Sequence, residues 1–162
     1  MAVLNIREIG DPVLRTRAKD VVKITDKTLR LIDNMCSTMI ENEGIGLAAP
    51  QVGVSQRVIV LREGGEDENN CRALINPKIV EQKGKKTAEE GCLSIPDRRG
   101  LVARAQKITV KALNKKGEKI SIQAEEMLAR VIQHEIDHLN GVLFVDKLIE
   151  MEDQFDNLTK TR

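Results

Sequence analysis

Tryptophan and tyrosine are absent from this chain, and Phe144 and Phe155 are its only phenylalanines. A core built without them must draw on Val, Ile, Leu and Met, and nucleic-acid bases would find almost no ring to stack on. No charge of one sign dominates: 26 Lys and Arg stand against 25 Asp and Glu. That balance excludes a broad basic field, so DNA and other polyanions are not expected partners. No apolar run approaches the roughly 20 residues that span a membrane. The amino terminus, MAVLNIREIGDP, lacks the basic segment and apolar stretch of a secretion signal. The expected location is therefore cytoplasmic, with no membrane partner. Cysteine is scarce too. Cys36, Cys71 and Cys92 are odd in number and scattered, which argues against a disulfide framework and for free thiols or a metal ligand. Internal repeats and low-complexity tracts are also missing.

What remains is the composition of a soluble globular protein, 41% hydrophobic and 31% charged over 162 residues. Such a chain suits one domain, residues 1–162, burying roughly 70% of its unfolded surface. From about residue 25 to 43, Leu29, Ile32, Met35, Cys36, Met39 and Ile40 recur at spacings of three and four, which predicts an amphipathic helix. Thr25 can cap its start, and Gly44 can end it in a left-handed conformation. Cys36 falls on the apolar stripe and reads as core packing.

The pattern then shifts to short β-branched runs: RVIVL (57–61), RALINPKIV (72–80), KITVKAL (107–113) and KISIQ (119–123). These predict strands. NKKGEK (114–119) reads as a hairpin turn, KGKK (83–86) as a solvated turn and EGGEDENN (63–70) as a polar loop. A second helix is expected over 124–140, closed by Gly141, and a terminal helix over about 147–158. The expected class is α+β, with mostly antiparallel sheets packed around a central helix between N-terminal and C-terminal helices.

That central helix contains HEIDH (134–138), which holds both histidines of the protein. Two histidines falling four apart with Glu after the first is a coincidence of about one in a thousand. Positions i and i+4 share one helix face, so His134 and His138 can aim ring nitrogens at one metal ion. Glu135 is rotated about 100° away and can instead handle the protons of a water molecule. Either histidine alone would read as a core imidazole.

Catalytic sites of this kind commonly use three protein ligands. A downstream carboxylate, Glu150 or Glu152, is one candidate for the third. Cys92, in EGCLS (90–94), is the other, because a thiolate is a soft, strong donor to a transition metal. Its bland alternative is a buried small hydrophobe. Gly91 beside it would let backbone approach a metal or substrate closely.

Three blocks, GIGLAAPQ (44–51), EGCLS (90–94) and QHEIDHLNG (133–141), resemble in order and separation the bacterial type of peptide deformylase, and the likeness spans nearly the whole chain. The resemblance implies removal of the formyl group from the N-terminal formyl-methionine of newly made polypeptides, releasing formate. It implies Cys92, His134 and His138 as metal ligands and Glu135 as general acid and base. The side-chain amide of Gln51 and the backbone N–H of Leu93 would donate to the oxyanion; from its own segment Gln51 reads as an exposed polar residue after a turn. The family's usual metal is Fe²⁺, with Zn²⁺, Ni²⁺ or Co²⁺ able to replace it. Ile45, Gly46 and Gly91 look like backbone sites where an extended peptide adds as a strand, and Val131 like part of a methionine pocket. Glu90 and Asp137 could orient ligands or pair with Arg104. The partners implied are nascent formyl-methionyl peptides and transient contact with the ribosome, although the slightly acidic tail IEMEDQFDNLTKTR weighs against strong docking. Two other classes stay open on the residues alone: a metallopeptidase using Glu150 or Glu152, and a metal-binding module without catalysis.

Overall fold

The computed structural model describes residues 2–64 and 70–149. Helix α1 spans Asp26–Glu41 and starts as its cap residue predicts: the Thr25 hydroxyl accepts from the Thr28 N–H while the Thr28 hydroxyl accepts from the Thr25 N–H. Its end differs from expectation. The left-handed residue is Glu43, at φ 56°, whereas Gly44 lies against Leu93, whose Cδ1 would be 2.9 Å from a Cβ there.

Five strands form one antiparallel sheet in the order β1 (Gly46–Ala48), β2 (Val58–Arg62), β3 (Cys71–Lys83), β6 (Lys107–Leu113), β7 (Lys119–Glu125). A separate hairpin joins β4 (Lys86–Cys92) to β5 (Ile95–Arg104). Helix α2, Glu126–Leu139, follows β7. The unbroken apolar run of β2 reflects burial on both faces. Val58 and Val60 pack with Ala73, Ile75 and the Ile32, Met35 and Met39 of α1. Ile59 and Leu61 face the other way, toward Ile132 and Ile136 of α2. Phe144 fills a third cluster with Leu14, Ile95, Val102 and Leu143 beneath the hairpin.

The carboxyl end of α2 is held firmly. Leu139 O accepts from Ala18 N at 2.8 Å and from the buried Arg57 guanidinium at 3.0 Å, a cation placed where the helix dipole favours one. Gly141 adopts φ 73° as its closing role requires, and a Cβ there would meet the Arg15 carbonyl at 2.7 Å.

The expected α+β class, the four strands and the turns at 83–86 and 114–119 are present, whereas β1, β4 and β5 add strands that the sequence does not advertise. Strand β1 has only three residues, and the hairpin carries runs of charge, Glu89–Glu90 and Asp97–Arg99, where an apolar alternation would have marked a strand. The cysteine expectation is corrected. Cys36 and Cys71 form a disulfide, because α1 crosses the sheet face and brings its apolar stripe to the start of β3, with Cα atoms 6.0 Å apart. Only Cys92 is a free thiol among the described residues. The terminal helix expected over 147–158, together with Glu150 and Glu152, falls mostly outside the described residues, as does the middle of the polar loop at 65–69. Before that point Leu148 bridges to Val102 and Ile149 N bonds to Leu101 O, adding a short stretch to the edge of β5. No described helix is long and apolar enough to cross a membrane.

Candidate metal centre

Consecutive turns of α2 carry His134 and His138, and their Nε2 atoms face each other at 3.3 Å. The hairpin supplies the third member: Cys92 is the last residue of β4 before the two-residue turn at Leu93 and Ser94, and its Sγ lies 3.3 Å from the His138 Nε2. The three donor atoms lie within 4.8 Å of one another. A thiol sulfur and two imine nitrogens, crowded together and mostly shielded from water, fit a transition-metal cation.

Glu135 stands beside this group, not in it. One face of its carboxylate presses on β1, where a Cβ on Gly46 would come within 2.7 Å of Oε2. The buried Oε1 has no hydrogen-bond partner among the described residues. Gln51, expected to be exposed on its own segment's pattern, is buried. Its Oε1 accepts from Ala48 N at 2.9 Å, which turns Nε2 toward the Cys92 Sγ at 3.5 Å and the Ser94 Oγ at 3.1 Å.

Behind the donors lies a buried ion cluster. Glu90 Oε1 accepts from His134 Nδ1 and Arg104 Nη2, both at 2.9 Å, and Oε2 accepts from Arg104 Nε at 2.9 Å. Arg104 also donates to Asp137 Oδ2 at 2.5 Å. The Nδ1–H bond fixes the His134 tautomer and leaves its Nε2 lone pair for the centre. Burial alone would raise the Glu90 pKa, but the Arg104 and His134 hydrogen bonds reverse this and hold it well below 4.5.

An unfolded Glu90 takes up a proton below about 4.5 that the folded one refuses, so its stabilisation is present above that pH and is lost as acid approaches the folded value. Burial depresses His138 well below 6.5, which slopes stability the same way but from a higher pH. The measurement is therefore a difference. The free energy of urea unfolding of the metal-free protein, followed from pH 4.5 down to pH 3, should fall more steeply for wild type than for Glu90→Gln, by up to about 1.4 kcal/mol per pH unit. Parallel slopes would mean that Glu90 is not ionised in the cluster.

A cavity of about 940 Å³ opens over the donors, lined among others by Ile45, Gly46, Gln51, Gly91, Val131, His134 and Glu135. Two strand edges border it, because β1 ends the large sheet and β4 pairs with β5 alone among the described strands. Gly91 keeps space for Arg99 instead of for the donors: a Cβ there would lie 2.6 Å from Arg99 Nη1. Met127, an apolar position of the predicted helix, is 64% exposed at the cavity mouth.

Sequence reasoning missed Ser94, which partners Gln51, and Arg130, a buried arginine that also binds Glu90. The signal for Arg130 was available: a charge four residues before His134, between Ala129 and Val131 on the inward face.

A family model for polypeptide deformylase matches residues 3–154. The peptide deformylase of Halothermothrix orenii is 57% identical over 154 residues, covering 95% of this chain and 99% of that protein. That of Carboxydothermus hydrogenoformans is 52% identical, covering 91% and 94%. Among solved structures, Thermotoga maritima peptide deformylase superposes with a TM-score of 0.87 at 45% identity, over 93% of this chain and all of that one. A class I type b peptide deformylase from Acinetobacter baumannii with Met-Ala-Ser bound gives 0.85 at 38% identity, over 91% and 99%.

Proposed function

This chain belongs to the polypeptide deformylase family, metal-dependent hydrolases that remove the formyl group from N-terminal methionine, and on that premise we propose that Cys92, His134 and His138 hold its metal. The carrying observation is that these donors, drawn from a hairpin tip and a helix, lie within 4.8 Å of one another. Fe²⁺ is the metal we assign in the cell, with Zn²⁺, Ni²⁺ or Co²⁺ as replacements, since the mixed sulfur and nitrogen set accepts each of them. Such an ion would polarise the formyl carbonyl and bring the pKa of a water molecule toward about 7.

The protein's own groups do the rest. Glu135, whose Oε1 has no partner among the described residues, takes the proton of the attacking water and later returns one to the departing amine, because an amide anion is too basic to leave. Gln51 Nε2 and the Leu93 N–H donate to the oxyanion. Gln51 is already turned inward by its bond from Ala48, which supports this role. The peptide lies extended between the edges of β1 and β4, against Ile45, Gly46 and Gly91, with Val131 lining the pocket for methionine. Met-Ala-Ser, bound to the Acinetobacter relative, is the kind of product such a cleft would release. We read the 162 residues as one catalytic domain that meets nascent formyl-methionyl chains and contacts the ribosome only transiently.

The test is formate release from formyl-Met-Ala-Ser, beside its acetylated analogue, by protein purified without oxygen. Formate should appear from the first and the second should stay intact. Cleavage of internal bonds in both peptides would favour a peptidase, and a folded, metal-loaded sample that releases no formate would overturn the assignment.

A further inference from the structure

Arg130 sits on α2 one turn before His134, and it is 8% exposed. Its guanidinium makes three bonds, all to the β4–β5 hairpin. Nη1 donates to Glu90 Oε2 at 2.5 Å and to Val102 O at 3.0 Å, and Nη2 donates to Lys86 O at 2.6 Å. Lys86 opens β4, and Val102 lies on the paired strand β5. One side chain of the histidine-bearing helix thus grips both strands of the element that presents Cys92.

That grip matters because the hairpin belongs to a separate sheet: no ladder pairs it with the five-stranded sheet among the described strands. Main-chain bonds hold it only at its turn, from Ile9 N to Ser94 O, and at the outer edge of β5, from Ile149 N to Leu101 O, so its placement over α2 rests largely on side chains. Arg104 already gives Glu90 a two-pronged cationic partner and reaches Asp137, so neutralising the carboxylate does not by itself require a second arginine. What Arg130 adds is the pair of backbone carbonyls, one from each strand. We propose that Arg130 is a positioning residue that fixes the hairpin on α2, setting the Cys92 sulfur against the two imidazoles while buttressing the Glu90 that orients His134.

This rests on the reading of Cys92, His134 and His138 as ligands. A lysine in place of Arg130 keeps the charge but cannot supply a planar fork to three acceptors in fixed directions. Arg130→Lys and Arg130→Met should be loaded with Ni²⁺ and challenged with excess chelator, beside the wild type. The thermal midpoint of each metal-free protein and the kcat and KM for formyl-Met-Ala-Ser complete the measurement. The expected result is Ni²⁺ release faster by about 10- to 100-fold, as for other outer partners of a metal site, in Arg130→Lys as in Arg130→Met. The kcat should fall while KM holds, and the metal-free midpoint of Arg130→Lys should stay near that of wild type. Release at the wild-type rate with wild-type kcat overturns the proposal, and so does a lowered midpoint with unchanged release, which would make Arg130 a packing residue. If Arg130→Met does not fold, Arg130→Lys decides alone by the same readings. A wild-type protein that retains no Ni²⁺ would refute the ligand assignment instead.

Discussion

Replacing Glu135 by glutamine should lower kcat for formyl-Met-Ala-Ser by about 10²- to 10⁴-fold, the range associated with a positioned acid or base, and leave the metal content unchanged. The carboxylate is 4% exposed and outside the donor group, so the substitution preserves shape and removes only the ability to carry a proton. Its Oε1 is buried without a partner among the described residues, an arrangement that costs stability unless a ligand or water completes it. Burial pushes its pKa up to about 7, against the downward pull of the His134 and Arg104 charges. A nearby cation would lower it further. A buried carboxyl group whose desolvation opposes these cationic pulls can both take a proton from water and return one to an amine, which one hydrolysis cycle demands of it. Steady-state kinetics and metal analysis on the same sample check the prediction. Undiminished turnover would reduce Glu135 to a packing residue beside Gly46, and loss of metal would put it among the ligands.

The parts of this site that were legible are those whose information is local. Two histidines a turn apart and the apolar periodicity around them specify both α2 and a convergent pair of donors, whatever the rest of the fold does. Strands β2, β6 and β7 announce themselves through β-branched runs, because burial on the sheet faces selects those side chains. The hairpin of β4 and β5 is silent by the same rule: its charges face the cavity, the ion cluster and solvent, so no alternation survives. Its placement depends on Arg104 and Arg130 bonding across elements, and no spacing along the chain encodes that. The expectation of free thiols failed at Cys36 and Cys71 for a related reason, since spacing along the chain does not tell which helix stripe a tertiary crossing brings to which strand. Gln51 was misjudged on its own segment because a polar residue after a turn is ordinarily solvated, whereas here Ala48, Ser94 and Cys92 satisfy both ends of its amide in the interior.

Cys92→Ala should cost more than the 10- to 100-fold in metal affinity that loss of an outer partner brings, and formyl-dependent activity should fall in step with occupancy. With the sulfur gone, α2 offers two imidazole nitrogens 3.3 Å apart, and no other described His, Cys, Asp or Glu joins them in a group of three. Cys92→Ser separates geometry from donor chemistry. A hydroxyl of similar size keeps the hairpin packed and gives the Gln51 amide an acceptor, yet it ionises far less readily than a thiol and is a harder, weaker donor to a transition metal. Serine should therefore preserve the thermal midpoint of the metal-free protein while losing metal nearly as fast as alanine does, measured by metal analysis after dialysis against a chelator. The competing peptidase reading, with Glu150 or Glu152 as third ligand, requires the opposite: metal and turnover survive in both variants and disappear on replacing the glutamate. Wild-type occupancy in Cys92→Ala would thus remove the thiol from the centre and return it to the role of a small buried hydrophobe at the tip of a hairpin.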